Sequence, residues 1–225
     1  MIYEDNSKYK VEYVGEKFTK DLASNKLIII GKYGVGKTTT IHKLMSKEID
    51  KEYAPTMSID IKNIQVKAND TIMQISIWDC CGNDKFALST PNLFKNVSIA
   101  ILIYAINDKE SFNVLGKWYN MLKEYSYDSI IFLIGNKNDL EEEREVSMEE
   151  GEEFKNNNEY HIKMFFETSA LKSINIDKLL HNIATSIYEK NQKLENEEDY
   201  AVRKTITLVK EDFSKKGKKI KKGCC

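Results

Sequence analysis

Residues 26–39, KLIIIGKYGVGKTT, set a run of branched apolar side chains directly against a glycine-spaced turn and a lysine–threonine pair. A short apolar run ending at a glycine reads as a strand buried on both faces. The turn fits G-x-x-x-x-G-K-[ST], with Gly31, Gly36, Lys37 and Thr38 in place. Glycines there let main-chain N–H groups face a chain of phosphates, Lys37 supplies a mobile cation, and Thr38 offers a hydroxyl to Mg2+. TTTIHKLMSKE follows with helical periodicity, so the motif has the strand before it and the helix after it that its chemistry requires.

The rest of the chain continues the alternation. TIMQISIW puts Met73, Ile75 and Ile77 on one face and Gln74 and Ser76 on the other, and pairs with SIDIKNIQVK across the turn AND. SIAILIYAI, SIIFLIGN and IKMFFETSA read as further strands. Between them, Phe112, Leu115, Trp118, Leu122 and Tyr125 form one helical stripe, and Ile176, Leu179, Leu180, Ile183 and Ile187 another, both read as core packing. The expected fold is α/β, of the P-loop NTPase kind. It has a mostly parallel sheet of about six strands, one antiparallel edge hairpin, and helices on both faces. Ligands of such sheets sit outside the carboxyl ends of the strands.

Composition narrows the class. With 225 residues, 41% hydrophobic and 31% charged, the chain suits one soluble domain. The net charge of −1 hides an asymmetry: the last twelve residues, SKKGKKIKKGCC, hold six lysines, which leaves a body of about −7. No nucleic-acid partner is expected. The longest clean apolar run, Ile99 to Ile106, is far short of the roughly 20 residues that span a bilayer. MIYEDNSKYK has no apolar core of a secretory signal, so a cytosolic protein is expected. The four cysteines form two adjacent pairs, Cys80–Cys81 and Cys224–Cys225, without metal-ligand spacing.

The later strand ends choose among nucleotide enzymes. NKND (Asn136 to Asp139) caps one strand and ETSA (Glu167 to Ala170) another. A carboxylate such as Asp139 accepts from both N1–H and the 2-amino group of guanine, a pair adenine lacks. A small-molecule kinase needs an arginine-rich lid, and the chain holds only Arg144 and Arg203.

With these signals in order, residues from about Asn25 to Glu189 resemble the Ras superfamily of small GTPases, and the Rab family most of all. The resemblance rests on ISIWDCCGNDKF, YAINDKESF followed by Trp118, IGNKNDL, EREVSMEEGEEF, FFETSA and the double-cysteine end. It implies an N-terminal extension (1–25), a GTPase domain (26–190) and a flexible polybasic tail (191–225). It implies a monomeric, GTP/GDP-driven switch in vesicle trafficking that hydrolyses GTP with Mg2+. Main-chain amides from Gly34, Val35 and Gly36 through Lys37, Thr38 and Thr39 would cradle the phosphates, with Lys37 spanning β and γ. Thr38 would bind Mg2+ directly and Asp79 through water. Thr56 and Gly82 would engage the metal and the γ-phosphate only in the GTP state, and Tyr53 belongs to the same set of contacts. Asn136, Lys137, Asp139, Ser169, Ala170 and Leu171 fall at the guanine. Cys224 and Cys225 would carry geranylgeranyl groups, which with the lysine run anchor the protein on the cytoplasmic face of an intracellular membrane while it cycles with cytosol. The implied partners are an exchange factor, a GTPase-activating protein, effectors, a GDP-dissociation inhibitor and Rab escort protein.

Several positions depart from the family pattern. Asn83 stands where a glutamine usually orients the attacking water, and Tyr33 where the loop favours a small residue, so slow intrinsic hydrolysis is expected. The alternative is a GTP-locked scaffold that recruits effectors without a working cycle. Ile49 and Leu171 replace an aromatic and a lysine near the base, which points to faster nucleotide release. Cys80 and Cys81 read as small residues in a tight turn, with only Lys85 nearby to lower a thiol pKa. Residues 1–25 are open to two readings, a flexible leader or an additional contact.

Overall fold

The computed structural model describes residues 2–3, 9–16, 18–19, 24–46, 59–80 and 91–194. The chain divides into two units, 1–187 and 188–225, and the described part of the second, 188–194, is helical.

The first unit is built on one eight-stranded sheet in the order β1-β2-β4-β5-β3-β6-β7-β8. β3 (Ser24–Ile30) pairs in parallel with β5 (Thr71–Asp79) and with β6 (Ile99–Ala105). β7 (Ile130–Asn136) and β8 (Met164–Glu167) continue the parallel half. β4 (Asp60–Ala68) runs antiparallel to β5 as the expected hairpin, in register Asp60↔Asp79 to Ala68↔Thr71, with Asn69 at positive φ in the turn. Two further strands come from the N-terminal segment, β1 (Ile2–Tyr3) and β2 (Val11–Gly15), both antiparallel.

Every residue of β6 is buried, as a central parallel strand covered on both faces requires. Each such Ile or Leu contributes about 1.5–3 kcal/mol by leaving water. Over one face lies α3 (Leu115–Tyr125), whose Leu115, Trp118 and Leu122 join Ala100, Leu102, Tyr104, Ile131 and Leu133 in one core. The first of the two expected stripes spans two helices, because Lys109–Asn113 forms a separate short α2 capped by the Asp108 carboxylate on Ser111 N at 3.1 Å. The second stripe lies on α5 (176–187), where Ile176, Leu179, Ile183 and Ile187 are buried. α1 (Lys37–Leu44) buries Ile41 and Leu44, and α4 (Met148–Asn156) starts from a reciprocal Ser147–Glu150 capping box.

Because β3, β5, β6, β7 and β8 are parallel, their carboxyl ends open onto one edge. Gly31, Asp79, Asn107, Lys137 and Thr168 all follow or close strands there, and the motif residues collect where the topology places ligands.

Candidate nucleotide site

The loop after β3 turns straight into α1. Gly36 is the N-cap residue, with φ 96°, and a Cβ there would collide with Asn136 Nδ2, so both conformation and space require glycine. Among the described residues no side chain caps this helix, and no acidic residue sits in its first turn. Its first N–H groups and dipole therefore face the loop, which is the arrangement that attracts phosphate. Lys37 Nζ donates to the carbonyls of Gly31 at 3.0 Å and Lys32 at 2.9 Å, holding the cation across the loop.

Thr38 Oγ1 donates to Asp79 Oδ2 at 2.6 Å. Asp79 is 3% exposed, and its Oδ1 is buried with no hydrogen-bond partner among the described residues. Burial raises its pKa above the ordinary carboxylate range and the Asp60 charge adds to the rise, while the Thr38 bond and the Lys37 and His42 charges oppose it. A hydroxyl and an orphaned carboxylate oxygen beside a phosphate-type loop fit Mg2+, which takes one or two protein oxygens and completes its shell with water and phosphate. Among the described residues no group of three or more His, Cys, Asp or Glu could hold a metal by itself.

Asn136 joins the two halves of the site. Its Nδ2 donates to Val35 O at 2.8 Å, and its Oδ1 accepts from Ala170 N at 3.0 Å and Thr168 Oγ1 at 3.1 Å. One buried amide thus ties the phosphate loop, the end of β7 and the loop after β8. Lys137 takes positive φ, and beyond it Asp139 Oδ1 is buried without a hydrogen-bond partner among the described residues. The loop after β8 is closed by a bridge between Ser169 and Ile174 and by Lys172 N donating to Ser169 Oγ at 2.9 Å. Ala170 is buried, and Leu171 is exposed at the rim.

Sequence reasoning did not reach three features. Arg144 forks onto Glu167, with Nη1 to Oε1 at 2.7 Å and Nη2 to Oε2 at 2.9 Å, and also pairs with Glu141. These partners, Glu167 first, raise the guanidinium's pKa. The pair anchors the start of the segment that carries Ser169 and Ala170. Lys32, in the phosphate loop, pairs with Asp108 at 3.1 Å and Glu110 at 2.5 Å, linking the loop to the β6–α2 connection. Thr168 joins the Asn136 network through its hydroxyl. The only sequence cue for the first was the rarity of arginine, and Lys32 with Asp108 carried none.

The structure thus gathers Gly34, Val35, Gly36, Lys37, Thr38, Thr39, Asp79, Asn136, Lys137, Asp139, Ser169, Ala170 and Leu171 at the carboxyl edge of the sheet. Ile49, Tyr53, Thr56, Cys81, Gly82, Asn83, Cys224 and Cys225 lie outside the described residues. Cys80 is buried, its Sγ donating to Trp78 O at 3.6 Å.

Against this geometry, a family model described as Ras family matches residues 26–189. The chain belongs to the Ras family. Among curated relatives of this small GTPase is the Ras-related protein Rab-11B of Dictyostelium discoideum, 34% identical over 164 residues, which are 72% of this chain and 73% of that protein.

Proposed function

We propose that this Rab-like small GTPase is a GTP/GDP switch in vesicle trafficking that hydrolyses GTP slowly with Mg2+. The observation that carries the reading is Asp139 Oδ1, a buried acceptor without a partner among the described residues, on a loop that Asn136 ties to the phosphate loop. A base offering two adjacent donors satisfies such a carboxylate and one offering none leaves it unpaired, which favours guanine over adenine.

In this reading Gly34 to Thr39 hold the phosphates through their main chain, and Lys37 moves from its loop carbonyls to the β- and γ-phosphates. Thr38 and Asp79 would hold Mg2+, Asp79 by way of water, and the metal would supply charge compensation for the transferring phosphoryl group. Thr56 and Gly82 respond to the γ-phosphate, Tyr53 flanks the nucleotide, and Lys137, Ser169, Ala170 and Leu171 flank the base. Asn83 is one methylene shorter than glutamine and would hold its amide short of an attacking water, where a misplacement of about 1 Å costs on the order of 100-fold in rate. Tyr33, 53% exposed on the phosphate loop, stands where an incoming arginine would approach.

No helix among the described residues is long and apolar enough to cross a membrane. Lipidation of Cys224 and Cys225 beside the lysine run supplies the two signals that stable anchoring to an intracellular membrane takes. An exchange factor, an activating protein and effectors drive the cycle, with Rab escort protein and a GDP-dissociation inhibitor handling the lipidated form.

Single-turnover conversion of GTP on the purified full chain, with the bound nucleotide identified by chromatography, tests the reading. Guanine-specific binding, slow conversion and an increase of tenfold or more in Asn83→Gln are expected. Equal retention of ATP and GTP would overturn it, and no detectable conversion would replace the switch with a GTP-locked scaffold.

A further inference from the structure

β2 lies before the residues that the family model matches, yet it is a working member of the sheet. It pairs with the far half of β4 in register Val11↔Ala68, Glu12↔Lys67, Tyr13↔Val66 and Gly15↔Gln65. Val11 is 4% exposed, on the same face as the buried Val66 and Ala68. At the hairpin turn the two segments exchange hydrogen bonds, Lys10 N to Asn69 Oδ1 at 3.0 Å and Asn69 N to Lys10 O at 2.8 Å.

The register breaks between Tyr13 and Gly15, and Gly15 takes φ 141°, a conformation that suits glycine and lets the chain leave the edge. Thr19 then meets the sheet face opposite Val11. Its N donates to Gln74 Oε1 at 2.7 Å, and its Oγ1 accepts from Gln65 Nε2 at 2.9 Å. Gln65 and Gln74 face each other across β4 and β5, and both are buried, at 5% and 0% exposure. A buried amide needs partners. Thr19 provides one to each glutamine, so the edge and the face of the hairpin are both shaped to hold this segment.

An uncovered β4 edge would offer unpaired N–H and C=O groups to any extended chain. We infer that Gln65–Ala68 of β4 is a strand-addition site for an extended polypeptide, and that β2 with Lys10 and Thr19 is its resident occupant, excluding partner peptides until displaced. The inference does not depend on the nucleotide chemistry.

The test uses the full chain and Val11→Asp, which sets a carboxylate into the buried face of β2 away from the nucleotide site. Hydrogen exchange over residues 60–70 is read by mass spectrometry, together with anisotropy of a fluorescein-labelled synthetic peptide of residues 9–19. Amides of Gln65–Ala68 should exchange at least tenfold faster in the variant. The peptide should bind the variant at least tenfold more tightly than the native chain, with guanine-nucleotide retention unchanged in both. Unchanged exchange would overturn the docking of the segment, and faster exchange without peptide binding would overturn the strand-addition site. Should Val11→Asp not fold, Thr19→Val answers through the same two measurements, and less than a twofold change in either overturns the proposal.

Discussion

Replacing Asn136 with alanine should loosen the whole nucleotide site from a single position. The side chain makes three buried hydrogen bonds, one donated to Val35 O and two accepted, from Ala170 N and Thr168 Oγ1. Alanine leaves two main-chain groups, the Val35 carbonyl and the Ala170 N–H, without partners at about 1–3 kcal/mol each, or about 2–6 kcal/mol together. At about 2–4 °C per kcal/mol for a domain of this size, a mid-range loss near 4 kcal/mol lowers Tm by about 8–16 °C. Even the lower figure of about 2 kcal/mol, expressed in the bound state, speeds GDP dissociation by about 30-fold. The assay is release of a fluorescent GDP analogue alongside thermal unfolding of the same preparation. Asn138→Ala is the control: its Oδ1 has no hydrogen-bond partner among the described residues, so a change of only about 0.5 kcal/mol is expected. A dissociation rate for Asn136→Ala within threefold of the native chain, with a Tm shift below about 3 °C, would refute the argument that this amide ties the loops together.

Arg144→Ala strands Glu167, which is 6% exposed, and should cost about 3–5 kcal/mol in urea unfolding. Replacing both Arg144 and Glu167 with methionine should recover most of that loss, and a double variant as unstable as the single would refute it. Burial holds the Asp79 pKa high, so its ionised form opposes folding above that pKa and the opposition fades as pH falls through it. Asp79→Asn in EDTA at pH 7 should therefore melt at or above the native chain, while losing the rise in Tm that Mg2+ with nucleotide confers; a large drop in EDTA would contradict this.

The periodicity of the sequence was enough for the parallel core. Apolar runs became β3, β6 and β7, and the Phe112–Tyr125 and Ile176–Ile187 stripes became buried faces, because burial on one or two sides leaves a signature of period 3.6 or none. The site motifs were legible for a related reason: each sits within a few residues of a strand end. The Asn136–Val35 bond joins positions 101 residues apart, and only the sheet order brings them together. The N-terminal segment was illegible in a different way. VEYVG is too short to announce a strand, and the two glutamines that hold Thr19 just beyond it lie on a face of the hairpin that local pattern assigns to solvent. Val114 divides the aromatic stripe into two helices where periodicity alone suggests one, since packing against β6 and the Asp108 cap override a weak local preference.

The register of the β4–β5 hairpin has a mechanical consequence. Asp60 faces Asp79 across the ladder, so the chain running back toward Thr56 and the chain running on toward Gly82 depart from the same rung. A slide of β4 by one residue along β5 would turn Ile64 and Val66 out of the core, so the ladder holds its ends in fixed register. The two departing segments therefore share one fixed origin, and neither can shift its starting point along the sheet without the other while that register holds.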